Sequence, residues 1–179
     1  MILIIGHSDL SAALEAILDD VVIVGRPDYD FSLKSDCDRL VNTYTPNVVI
    51  NTVGVINQDL WTTLTTNYVG VAYLTLEFFK KLDQAHIINI SSASSFWVSY
   101  PDIDDSRLAY NLSKEALSTF GRHMNRKIVD SNKNIVTTIE PGKFNSKMNG
   151  HTGGMPVERV ANWIKQVIEN PVAQLSIIK

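Results

Sequence analysis

The sequence holds one cysteine, Cys37, among its 179 residues. An intramolecular disulfide and a zinc site built on cysteines are therefore both excluded. A reducing, cytoplasmic setting is the simplest expectation. No neighbour in the sequence would lower the pKa of Cys37, so it reads as a packed thiol. Positive charge is also in short supply: 16 Lys and Arg stand against 19 Asp and Glu, a net charge of −3. The basic footprint of a nucleic-acid or anionic-membrane partner is missing. The densest basic stretch, Arg122, His123, Arg126 and Lys127, reads as one solvated helix face. No apolar run approaches the roughly 18 residues that span a bilayer. Met1 to Gly6 lacks the basic segment of a secretory leader.

What is present is an ordinary globular composition, 45% hydrophobic and 20% charged. The length suits one domain over residues 1–179. Ile2–Ile5, Val21–Val24, Val48–Ile50, His86–Ile90, Ile135–Ile139 and Leu175–Ile178 are short apolar runs, most closed by glycine, asparagine, serine or proline. Runs of this kind read as strands buried on both faces. Between them lie helical patterns. One begins at Ser8 or Asp9; others cover residues 35–44, about 57–82, about 105–130 and from Pro156 onward. In the 57–82 segment, Leu64, Tyr68, Val71, Thr75, Phe78 and Leu82 recur at helical spacing and should face the core. The alternation predicts an α/β fold: a three-layer, doubly wound parallel sheet with helices on both faces. Ligands bind such sheets beyond the carboxyl ends of the strands. That rule selects Gly6, Arg26, Asn51–Gly54, Ser91–Ser95 and Pro141–Ser146.

Tyr110 and Lys114 are four residues apart on a predicted helix. They share a face, and a nearby ammonium favours the phenolate. A phenol so tuned can exchange a proton with a carbonyl or alcohol oxygen. Other short motifs accompany this pair in a fixed order. They are Asn51-Thr52-Val53-Gly54, Asn67-Tyr68-Val69-Gly70, Ile88-Asn89-Ile90-Ser91-Ser92, and Pro141-Gly142 followed by Ser146. Together they resemble the N-N-A-G, N-x-x-G, I-N-I-S-S, Y-x-x-x-K and P-G-x-x-x-T motifs of the short-chain dehydrogenase/reductase family. The resemblance runs from Met1 to about Ile178.

This resemblance implies a single Rossmann-like domain that uses a nicotinamide dinucleotide to interconvert a carbonyl and an alcohol. Carried over by position, it makes Asn67, Ser92, Tyr110 and Lys114 the catalytic set. Tyr110 would be the general acid/base, and Lys114 would lower its pKa and hold the ribose. Ser92 would hold the substrate oxygen, and Asn67 would hold a relay water. Gly6, His7, Ser8, Arg26, Asn51, Gly54, Tyr110, Lys114, Pro141, Gly142 and Ser146 would contact the cofactor. Arg26 just past the second strand resembles NADP-preferring members, so NADP(H) is expected over NAD(H). No metal is expected.

The family's T-G-x-x-x-G-x-G loop is here Ile5-Gly6-His7-Ser8-Asp9-Leu10-Ser11-Ala12, with only Gly6 kept in an ungapped match. That departure supports a second expectation, a non-catalytic dinucleotide-binding regulatory or scaffold protein. Ser92 and Tyr110 stand eighteen residues apart, a longer interval than the family's. Trp97 and Tyr100 in the 96–104 loop between them form either a substrate wall or plain surface. A homodimer or homotetramer is implied through the two long helices, with Phe78 and Phe79 at the interface or in the core. An epimerase or dehydratase of the extended relatives would need a C-terminal substrate domain, and none is visible.

Overall fold

The structure is a computed structural model that describes residues 1–56, 59–94, 107–128, 134–171 and 176–178. The strands are β1 (Ile2–Ile5), β2 (Val21–Val24), β3 (Val48–Asn51), β4 (His86–Ile90), β5 (Ile135–Pro141) and β6 (Ser176–Ile178). All pair in parallel, in the order β2-β1-β3-β4-β5-β6. The helices are α1 (Asp9–Glu15), α2 (Lys34–Thr43), α3 (Leu60–Leu64), α4 (Val71–Lys81), α5 (Leu108–Ile128) and α6 (Val157–Glu169). A π-helical turn, Thr65–Gly70, joins α3 to α4.

Side chains alternate across each strand, so the sheet supplies two cores. Leu3, Ile5, Val49, Ile87 and Val136 pack with Leu40, Leu74, Phe78 and Leu117 on one face. Ile4, Ile50, Ile88 and Ile139 pack with Leu10, Leu14, Val160 and Ile164 on the other. The three-layer, doubly wound sheet is thus the observed architecture. Among the described residues, no helix is long and apolar enough to cross a membrane.

The buried stripe after β3 differs from the predicted one. Thr63, Thr66, Asn67 and Gly70 are buried there, while Leu64 and Tyr68 are only half-buried. The π turn adds a residue per turn, so the 3.6-residue register set by Val71, Leu74, Thr75 and Phe78 does not extend backward through it. Phe78 lies wholly in the core, and Phe79 packs against it while staying partly exposed. Leu60, Trp61, Val69 and Leu108 are exposed instead, Trp61 by 78%.

Strand order reverses between β1 and β3, which opens a crevice at their carboxyl ends. Gly6 and Thr52 flank it. Gly6 has φ +110°, and a Cβ there would stand 3.0 Å from Thr52 Oγ1. Glycine is needed on both counts. Thr52 in turn ties the two strand ends, its hydroxyl donating to the carbonyls of Ile5 and Gly6.

Candidate functional site

Ser91 and Ser92 follow the end of β4, and Tyr110 and Lys114 lie on the first turns of α5. The fold brings them together across the longer interval. The Ser92 hydroxyl lies near enough to the Tyr110 phenol to favour its charged form. Ser92 Oγ also accepts from the Ser94 N–H at 3.1 Å and the Ser94 hydroxyl at 2.9 Å. With its lone pairs so engaged, the Ser92 hydroxyl keeps its proton to donate. Ser91 points away from the phenol. Its hydroxyl donates to the Lys114 carbonyl at 2.8 Å and pairs with Ser118 at 2.7 Å, which pins α5 to the sheet.

Lys114 is 3% exposed. Its Nζ donates to the Val53 carbonyl at 3.0 Å and the Ile90 carbonyl at 2.9 Å, bridging the ends of β3 and β4. It lies 5.8 Å from the Tyr110 ring centroid. Burial pushes the Lys114 pKa down to about 8. Burial also raises the Tyr110 pKa, and it outweighs the opposing pull of the Ser92 hydroxyl and of the Arg107 charge. The expected lowering by Lys114 is therefore not what sets this phenol. Tyr110 is held as the neutral acid, and Arg107, which no motif marked, is the cation that acts on it.

Asn67 sits in the π turn and is fully buried. Its Oδ1 accepts from the Val55 N–H at 2.8 Å. Its Nδ2 donates to the Val55 carbonyl at 2.9 Å and to Ser113 Oγ at 3.2 Å. Both amide protons are thus engaged. Asn67 clamps the loop after β3 to the Tyr110–Lys114 turn.

Several expected cofactor contacts also change character. Asn51 ends β3 facing inward, 1% exposed, and donates to Asn89 Oδ1 at 2.6 Å. Strand alternation places it beneath the crevice rather than on its surface. Arg26 is not a free cation: its Nη2 donates to both carboxylate oxygens of Asp30 at 3.1 Å. Ser8 and Ser11 form a reciprocal capping box at the start of α1. The Ser146 N–H donates to Asn149 Oδ1 at 3.0 Å at the start of the 3-10 turn Lys147–Asn149. His7 covers Gly25, where a Cβ would stand 2.8 Å from the imidazole Cδ2. Pro141 closes β5, and Gly142 follows as the exit from the sheet. Trp97, Tyr100 and the rest of 96–104 lie outside the described residues, as does Ser95.

A nicotinamide dinucleotide can be tested against these residues. Gly54 lies in the crevice wall, where a Cβ would stand 3.6 Å from Lys114 Nζ. Gly6 leaves the neighbouring strand end equally bare. An ammonium, a phenol and two side-chain-free backbone segments along one crevice suit a ribose with an adjoining planar ring, so the donor set fits the group.

No family model matches the sequence, and no curated protein does. Solved structures do match. A short-chain dehydrogenase from Burkholderia cenocepacia in complex with NADP aligns with a TM-score of 0.81 at 14% identity, over 99% of this chain and 95% of that one. The chain has the short-chain dehydrogenase fold. A short-chain dehydrogenase/reductase from Vibrio parahaemolyticus aligns at TM-score 0.79 and 16% identity, over 99% and 98% of the two chains. The 3-alpha-hydroxysteroid dehydrogenase from Pseudomonas sp., complexed with NADH, aligns at 0.78 and 16%, over 99% and 94%. In this short-chain dehydrogenase fold, the Ser92–Tyr110–Lys114 cluster stands at the carboxyl ends of the central strands.

Proposed function

We propose that this protein is an NADP(H)-dependent oxidoreductase that interconverts a small carbonyl compound and its alcohol. The observation that carries the reading is the buried Lys114, held on the Val53 and Ile90 carbonyls with its ammonium 5.8 Å from the Tyr110 ring. Structural relatives bound to NADP or NADH support the cofactor class.

Lys114, Gly54, Gly6 and Gly142 would hold the dinucleotide. When bound, it supplies or accepts the hydride. Tyr110, kept neutral by burial, donates its proton to the carbonyl oxygen during reduction and takes it back during oxidation. Ser92 hydrogen-bonds the same oxygen and stabilises the charge that develops there. Lys114 sits behind the phenol, fixed on the Val53 and Ile90 carbonyls, where it would hold the ribose hydroxyls of the dinucleotide. Asn67 positions Tyr110 and Lys114 through Ser113 and Val55. Preference for NADP(H) rests on Arg26, which must exchange Asp30 for the 2′-phosphate.

The test is the thermal midpoint with NADPH, NADP, NADH and NAD, followed by turnover of a carbonyl panel. A ligand at 100 times its Kd adds about 2.7 kcal/mol of stability. An upward shift with the phosphorylated pair is expected. Tyr110→Phe should cut turnover by a factor of at least about 100 with little change in dinucleotide binding; unchanged turnover would remove Tyr110 from the mechanism. A second reading, a dinucleotide-responsive regulator without turnover, is favoured by the Asp9 carboxylate at the altered loop. Binding without turnover of any carbonyl would select it.

A further inference from the structure

The segment after Gly142 is a built loop rather than slack chain. Phe144 bridges to Met155, and the Asn145 N–H donates to the Met155 carbonyl at 2.9 Å. The Gly154 N–H donates to Asn145 Oδ1 at 2.9 Å, and Asn149 Nδ2 donates to the Phe144 carbonyl at 2.6 Å. Phe144 and Met155 anchor its base against the α6 core. Its tip, the Lys147–Asn149 turn, reaches over the crevice and touches it in two places.

The first contact is at the β1 end. The Lys147 N–H donates to Asp9 Oδ2 at 2.6 Å, a short bond to a charged acceptor of the stronger kind. The second is at the Lys114 end. A Cβ at Gly54 would stand 3.6 Å from both Lys114 Nζ and Met148 Cε, so the methionine methyl and the ammonium flank the same glycine. Met148 is nonetheless 41% exposed. It rests on the crevice rather than forming part of the core. A dinucleotide lying along the crevice would put its negative pyrophosphate at the first βα turn, beside Asp9. Its ribose would lie at Lys114, beside Met148. Both places are covered by one turn of this chain.

We infer that Asp9 and Met148 form an internal latch over the dinucleotide crevice, and that Asp9 sets how tightly the cofactor binds. This rests on the dinucleotide reading above. The carboxylate has two effects. It holds the tip down through Lys147, and it opposes a second anion in the same space. Binding must break the Lys147–Asp9 hydrogen bond, swing the tip away and move Met148 off Gly54. Asp9→Asn keeps an acceptor for Lys147 but removes the charge. Asp9→Ala removes both. Met148→Ala frees the Lys114 end and, being on an exposed tip, leaves the fold intact.

Two readouts separate the latch from the reading on which it rests. The first is the Kd for NADPH by calorimetry in the wild type and the three variants. Asp9→Ala should bind about tenfold tighter or more, the worth of one charge-assisted hydrogen bond. Asp9→Asn should fall between it and the wild type, and Met148→Ala should tighten binding several-fold. The second is the rate of tryptic cleavage after Lys147 without nucleotide, which should rise in Asp9→Ala and not in Asp9→Asn. Wild-type binding that Asp9→Ala leaves unchanged overturns the latch and leaves the dinucleotide reading standing. Binding by none of the four proteins overturns both, whatever the cleavage rate. Unchanged cleavage in Asp9→Ala overturns the tether even if affinity rises.

Discussion

Lys114 carries an electrostatic cost that a titration can read. Its folded pKa is about 8, against 10.5 for the free group. Between those values the unfolded chain binds the extra proton, so stability rises with pH across the window. The stability of the wild type relative to Lys114→Met should increase by about 2 kcal/mol from pH 8 to pH 10. Parallel curves in paired denaturant titrations would show that Lys114 keeps its usual pKa. Asn67 makes a separate prediction. Asn67→Ala leaves the Val55 N–H and carbonyl without their partner, at a cost of about 2–3 kcal/mol. Asn67 acts through Ser113 and the Tyr110 turn, so kcat should fall while the KM for substrate changes little. A change confined to KM would deny it the positioning role. At this scale the sequence was legible where chemistry depends on spacing. Tyr110 and Lys114 share a helical face wherever that helix goes. It was silent where chemistry depends on approach, as for Arg107 acting on Tyr110, Asp30 claiming Arg26, and Met148 reaching Gly54.

Among the elements, the π turn at Thr65–Gly70 shows how local periodicity can mislead. A 3.6-residue pattern through Leu64 and Tyr68 picks the wrong face, because the turn re-aims the chain and buries Thr66, Asn67 and Gly70. Burying Asn67 lets it reach Val55 and Ser113; burying Gly70 lets the backbone of Phe31 come close. A Cβ at Gly70 would stand 2.0 Å from the Phe31 carbonyl oxygen. Backbone cannot yield as a side-chain tip can. Gly70→Ala should therefore cost at least about 3 kcal/mol, the upper end for overpacking, and lower the thermal midpoint accordingly. A midpoint within a degree of the wild type would mean that the Phe31 loop moves freely. The strands were easier to read, since runs such as Ile2–Ile5 are apolar at every position and are buried on both faces.

At the scale of the whole molecule, several large apolar side chains among the described residues are exposed. Leu60, Trp61 and Val69, with Leu108 at the start of α5, lie on the helices expected to mediate self-association. Of the two phenylalanines expected at an interface or in the core, Phe78 is in the core and Phe79 packs partly exposed against it. A homo-oligomer built on these helices would use Trp61, which is exposed, rather than Phe78, which is not. Trp61→Glu should lower the mass measured by light scattering to that of the monomer while preserving the circular dichroism spectrum. A wild type that is already monomeric would end this proposal.

The sequence by itself determined the α/β class, the parallel sheet, the serines just after a strand, and the tyrosine and lysine on one helix face. These follow from short-range hydrophobic pattern and residue spacing, which survive in any packing. Only the tertiary structure decided which of the marked residues face the crevice and which are used up inside it. Asn67 spends its amide on Val55 and Ser113, and Arg26 its guanidinium on Asp30, because a buried or crowded polar group takes the nearest partner. The tip contacts at Asp9 and Gly54 were likewise beyond the sequence. Each joins residues more than ninety positions apart, and only the folded sheet sets them side by side.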